Sequence, residues 1–202
     1  MKTPHSSTNQ DFSDKAHEAA KSRIYPALFD GPPMGDNGLS FESTCMGENE
    51  KADVLDGKMA IDRIVRVGTK SLQGDIEFVV QERFRRPQYS DKYADITITE
   101  WNYASNVPSE LYKLNAGIFL YGYFDKESGT FIDWIACNTT DLMVAITQNR
   151  IGWTMEKNNR SNQSFAAIKF EDLKKSSLVI LDKQTAVDRL KEKRRLARSS
   201  AA

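Results

Sequence analysis

Ile61-Asp62-Arg63-Ile64-Val65-Arg66-Val67 and, further on, Ile76-Glu77-Phe78-Val79-Val80-Gln81-Glu82-Arg83-Phe84 are the two runs on which the reading of this chain turns. Apolar residues recur at strand spacing from Met59 to Val67 and again from Ile76 to Phe84. Gly68 to Gly74 between them has the composition of a hairpin connection. On the returning strand Ile76, Phe78, Val80 and Glu82 share one face, and Glu77, Val79, Gln81 and Arg83 the other. An acid near the start of the first strand and a Gln-x-basic step in the second can therefore meet across the pair.

The flanking sequence sorts into elements around that hairpin. Residues 1–10 are polar and read as a disordered arm. Ser13 is placed to cap a helix through Ala16, Ala19, Ala20, Ile24 and Leu28, with Pro26 weakening its end. GPPMGDNG, residues 31–38, is a loop, and residues 39–58 show no settled period. Beyond the hairpin, Arg85, Arg86 and Pro87 open a basic loop that leads to a third alternating run, Ala94 to Trp101. Ser109 can cap a short helix carrying Leu111, Leu114 and Ile118. Phe119 to Phe124 and Phe131 to Cys137 read as strands, and Thr140 can cap a helix through Leu142, Met143 and Ile146. Residues 152–185 form a looser layer: a polar loop from Lys157 to Ser164, a strand from Phe165 to Phe170, then Leu173 and Leu178 to Leu181 packing back on the core. Arg189 to Arg198 holds six basic residues against one acid in a composition that favours helix. The expected order is αβββαββα. That is an α+β domain over residues 11–185 with a central mixed sheet flanked by helices, followed by a basic tail, 186–202.

Bulk properties narrow the function classes. A chain of 202 residues, 40% hydrophobic and 28% charged, suits one globular domain with a real core. Lys plus Arg and Asp plus Glu both number 28, so any attraction to nucleic acid must come from local clustering. Cys45 and Cys137 match no zinc or redox spacing and read as buried free thiols; with only His5 and His17, zinc is poorly supplied. The start, MKTPHSSTNQ, lacks the apolar core of a secretory signal, and no run approaches about 18 apolar residues, so a cytoplasmic location without membrane insertion is expected.

Ile61-Asp62 and Val79-Val80-Gln81-Glu82-Arg83, in that element order, resemble the PD-(D/E)xK nuclease superfamily and its Mrr-type branch, in which Gln-x-Lys replaces (D/E)xK. The resemblance covers about residues 13–147 and implies a restriction-endonuclease-like core. There, a helix precedes three antiparallel strands, the acid opens the second strand and the motif lies on the third. It implies hydrolysis of phosphodiester bonds, in DNA, with Mg²⁺ or Mn²⁺ as cofactor. Carried over residue by residue, Asp62 and Gln81 would offer hard oxygens to the metal, Arg83 would stabilise the transition state, and Glu18 on the first helix would complete the catalytic and metal-binding set. This chain has Arg83 where the family has Lys, and arginine is effectively never a base. A nuclease-fold protein that binds nucleic acid or a protein partner with little or no cutting is the alternative.

Other residues carry weaker signals. Arg85 and Arg86, which continue the Gln-x-basic strand, and Lys191, Arg194, Arg195 and Arg198 in the tail are suited to contacts with nucleic-acid backbone. Glu77 shares a face with Gln81 and is a further candidate ligand, whereas Glu82 is assigned no role. Trp101, Tyr103 and Tyr89 are candidates for base stacking. Glu110 and Lys113 read as an ordinary helical pair. Asp62 has a plainer reading as a surface acid paired with Arg63 or Arg66. The oligomeric state, monomer or homodimer, is left open.

Overall fold

The computed structural model describes residues 7–29, 39–43, 50–68, 75–158 and 161–199. Along the chain run α1 (Ser7–Arg23), α2 (Tyr25–Leu28), β1 (Leu39–Ser43), α3 (Glu50–Met59), β2 (Arg63–Gly68) and β3 (Asp75–Arg85). Next come α4 (Gln88–Tyr93), β4 (Asp95–Asn102), β5 (Val107–Pro108), α5 (Glu110–Lys113), β6 (Ile118–Asp125) and β7 (Thr130–Asn138). The chain closes with α6 (Thr139–Thr147), β8 (Thr154–Asn158), β9 (Gln163–Lys169), α7 (Phe170–Lys175), β10 (Val179–Asp182) and α8 (Lys183–Ser199).

The central hairpin forms as its pattern requires, with Arg63 opposite Val80 and Gly68 opposite Asp75. It sits in a six-stranded mixed sheet of order β1-β2-β3-β6-β7-β10. All neighbours are antiparallel except β3 and β6, where Gln81 lies beside Phe119 and Arg83 beside Tyr121. A parallel pair needs a long crossover. Here the crossover contains α4, β4, β5 and α5; β4 and β5 join β8 and β9, which follow α6, in a second, antiparallel sheet of order β5-β4-β9-β8.

Two apolar clusters, one on each face, hold the main sheet. On one face Phe12, Ala16, Ala20, Ile24 and Tyr25 of α1, α2 and the residue joining them pack on Val65, Val80, Leu120, Phe124 and Ala136. On the other, Ile96 and Ile98 of β4 and Leu142, Ala145 and Ile146 of α6 pack on Phe119, Tyr121, Tyr123, Ile135 and Cys137. β6 is buried on both faces, which is why it reads as a continuous apolar and aromatic run. Gly122 is required there: a Cβ would lie 2.8 Å from the Phe131 ring.

Several expectations are corrected. The third alternating run, β4, leaves the main sheet for the second one, so the antiparallel trio is β1, β2 and β3. β1 lies in residues whose sequence shows no period; it is a short edge strand. α1 starts at Ser7, with Ser13 inside it, so only residues 1–6 of the expected arm fall outside the described residues, as do loop 31–38, Cys45 and His5. Residues 154–158 form strand β8 where a loop was expected to begin at Lys157, and Asn138 rather than Thr140 caps α6, accepting from Asp141 N–H. The basic tail is helical, as its composition predicts. Among the described residues, no helix is long and apolar enough to cross a membrane.

Candidate functional site

Asp62 sits at the threshold of β2, where its N–H donates to Val80 O at 2.9 Å. Its Oδ2 accepts the N–H of Glu82 at 2.8 Å. The carboxylate is thereby fastened to β3 at the peptide joining Gln81 to Glu82. Burial pushes this carboxyl up to about 8, with the negative charge of Glu82 and, more weakly, of Asp56 and Glu110 acting in the same direction against the Glu82 N–H.

Gln81 and Arg83 lie two apart on one face of β3. Gln81 is not the solvent-facing residue that simple amphipathic alternation gives: it is 7% exposed, and its Oε1 is buried with no hydrogen-bond partner among the described residues. A buried amide oxygen left without a donor costs about 1–3 kcal/mol. Arg83 keeps a third of its side chain exposed and forms an ion pair with Glu110 through Nη2 and Oε2.

Glu110 is the residue that sequence reasoning missed. It opens α5, is 4% exposed, and its Oε2 also accepts the Thr99 N–H of β4 at 3.3 Å. Its Oε1 is a second buried oxygen without a hydrogen-bond partner among the described residues. The segment that leaves α5 is stitched to the strands of the site: Asn115 N–H donates to Met59 O and Gly117 N–H to Val79 O, both at 2.9 Å. No sequence signal marks Glu110, because its partner Arg83 is 27 positions away.

Across the sheet, Glu82 is a buried hub and not a residue without a role. Tyr25 Oη donates to it at 2.5 Å, His17 Nδ1 lies 3.0 Å from it and Arg63 Nε 3.4 Å. Burial alone would raise the Glu82 carboxyl, but His17, Arg63 and Tyr25 together outweigh it and hold it below the ordinary range. The hub fixes α1 and α2 to β3 immediately behind the Asp62 contact.

The remaining candidates are placed elsewhere. Glu18 is not brought to Asp62: its side chain is exposed, ion-paired with Lys21 at 2.9 Å, and borders a shallow depression with Phe124, Lys126 and Gly129. Glu77 is exposed and paired with Arg66, which also binds Glu42, while Arg63 pairs with Glu82 and donates from Nη1 to Asp62 O at 3.0 Å. Arg85 is committed internally, 3.3 Å from both Asp95 Oδ1 and Tyr121 Oη and stacked over Tyr89. Arg86 donates to Asn9 Oδ1 and lies over Phe12. Trp101 lies in β4, and Tyr103 is exposed under Lys157. Lys191, Arg194, Arg195 and Arg198 line one groove along α8, with Lys191 paired to Asp188 and Arg195 to Glu192.

Asp62, Gln81 and Glu110 carry hard oxygens; Arg83 is paired with Glu110, and the negative charge of Glu110 reaches Asp62. Among the described residues no three His, Cys, Asp or Glu side chains gather as a metal site, so a cation here would rely on the amide of Gln81. Comparison with protein-family models, with curated proteins and with solved structures returns no match.

Proposed function

We propose that this protein is a metal-dependent nuclease that hydrolyses phosphodiester bonds in DNA, with Asp62, Gln81 and Arg83 at its centre. The observation that carries the reading is the Asp62 carboxylate bonded to the N–H of Glu82, which is flanked in β3 by Gln81, whose buried amide oxygen has no hydrogen-bond partner among the described residues, and by the partly exposed Arg83. The topology supports it in outline: α1, the antiparallel trio β1-β2-β3 and then β6 beside β3 follow the order that the PD-(D/E)xK resemblance implies, with α3 inserted between β1 and β2 and β4 and β5 inserted in the crossover. Asp62 stands at the entry to the second strand and Gln81 to Arg83 on the third.

The donors fit Mg²⁺ or Mn²⁺ by chemistry, since all are oxygens and one is buried without a partner among the described residues. Asp62 and Gln81 would hold the ion. When bound, such an ion neutralises phosphate charge and lowers the pKa of water. Asp62 stays rigid under this load because the Glu82 N–H fixes its Oδ2. Arg83 donates to non-bridging phosphate oxygens and takes no proton. The Lys and Arg face of α8 supplies sequence-independent contacts to the backbone.

A second reading, a nuclease-fold protein that binds nucleic acid or a protein partner with little or no cutting, draws on the Arg83–Glu110 ion pair, which cancels the charge of Arg83. Supercoiled plasmid incubated with Mg²⁺ or Mn²⁺ separates the two. Nicking by wild type and none by Asp62→Ala supports the nuclease. Salt-sensitive retardation of the same DNA by both proteins, without strand breaks, transfers the assignment to the binder.

A further inference from the structure

We infer that Glu110 is a third ligand of the divalent cation, supplied from the crossover excursion and not from α1. This deepens the nuclease reading and rests on it. Glu110 divides its labour between two oxygens. Oε2 is used internally, taking the Arg83 guanidinium and the Thr99 N–H. Oε1 is buried, with no hydrogen-bond partner among the described residues. Gln81, on the same face of β3 as Arg83, carries the matching buried oxygen.

Two buried oxygens from separate elements, each without a hydrogen-bond partner among the described residues and each in a residue more than nine-tenths buried, are costly, and a shared cation would remove that cost. The backbone supports that geometry. The turn after α5 bonds to Met59 O, just ahead of Asp62, and to Val79 O, just ahead of Gln81. α5 is thus tied to both segments that carry the other donors, while Thr99 N–H sets the rotation of the carboxylate. Glu18, the helix acid that the family pattern indicates, is spent on Lys21 at the surface. Two carboxylates and one amide give the hard, oxygen-only set that Mg²⁺ and Mn²⁺ take. Arg83 then acts twice. It holds the Glu110 carboxylate in place, and a cation that took up that negative charge would leave the guanidinium available to phosphate.

The probe is Mn²⁺, followed by the loss of its free-ion electron paramagnetic resonance signal on titration with wild type, Asp62→Asn and Glu110→Gln. Weakening of about tenfold or more in both variants is the expected result. Unchanged affinity in Glu110→Gln beside a loss in Asp62→Asn overturns the role of Glu110 and leaves the nuclease reading standing. Absence of binding by wild type overturns both. If Glu110→Gln alone fails to fold, Arg83→Gln is compared with Arg83→Gln/Glu110→Gln, which removes both charges of the pair together. The inference requires the double variant to bind Mn²⁺ about tenfold more weakly than Arg83→Gln. Equal affinity of the two overturns it.

Discussion

A carboxyl raised to about 8 from 3.8 places Asp62 among residues that fold at a cost. Between those values the unfolded chain has already lost the proton that the folded chain keeps. The folded state therefore binds more protons, and this contribution to stability is complete below about pH 4 and declines as pH rises toward about pH 8. Asp62→Asn keeps an acceptor for the Glu82 N–H and has nothing to ionise. Metal-free thermal unfolding at about pH 8.5 is predicted to show the variant more stable by on the order of 5 kcal/mol, converging with wild type as pH falls to about 4. Mn²⁺ should then raise the melting temperature of wild type and leave Asp62→Asn unmoved. A variant less stable than wild type at high pH would contradict the desolvated carboxylate. At this scale the sequence was legible for the placement of Gln81 and Arg83 on one face of β3 and of Asp62 at the entry to β2, since strand parity suffices for it. Glu110 and Glu82 were not, because their importance comes from partners brought by the crossover and by α1.

Among the elements, β3 is the junction. Its Val80 and Glu82 side anchors α1 and α2, while its Gln81 and Arg83 side faces the crossover. Glu82→Ala leaves Arg63 and His17 without their buried carboxylate, and loss of one member of a buried ion pair costs about 3–5 kcal/mol. Chemical denaturation should report that loss, and cleavage should fall with it because the backbone bearing Asp62's hydrogen-bond donor loosens. A loss under about 1 kcal/mol would reduce the hub to an ordinary surface pair. Gly122→Ala tests the centre of the sheet: the added methyl meets the Phe131 ring and the Trp134 Cβ, at 2.8 and 3.2 Å, and overpacking of this kind costs about 1–3 kcal/mol. The strands whose membership escaped the sequence explain themselves at this level. β1 and β8 are five-residue edge strands with charged residues, so pattern alone does not distinguish them from loops. β4 has the same alternation as β2 and β3, and only the hydrogen-bonded partner, β9, reveals that it belongs to another sheet.

For the whole molecule, zero formal net charge makes α8 the main local concentration of positive charge available to a polyanion. The helix starts where Asp182 accepts the Thr185 N–H at 2.7 Å, and Ala186 still packs on the core; beyond it no described residue of α8 is buried. Removing residues 187–202 is predicted to change unfolding free energy by less than about 0.5 kcal/mol. The same truncation should weaken DNA binding and flatten its dependence on salt by about 0.9 in log–log slope for each phosphate that the protein no longer neutralises. An unchanged slope in a filter-binding titration would remove α8 from the interface.

The central claim is that the oxygens of Asp62 and Gln81, beside Arg83, seat a cation that serves phosphodiester cleavage. Its most direct measurement is the rate at which supercoiled plasmid is nicked as Mn²⁺ is raised, with wild type and the folded Asp62→Asn variant in parallel. The account predicts a rate for wild type that rises and saturates with Mn²⁺, is abolished by chelator and is absent from the variant. Equal rates for the two proteins, or no nicking by wild type at any Mn²⁺ concentration, would contradict it.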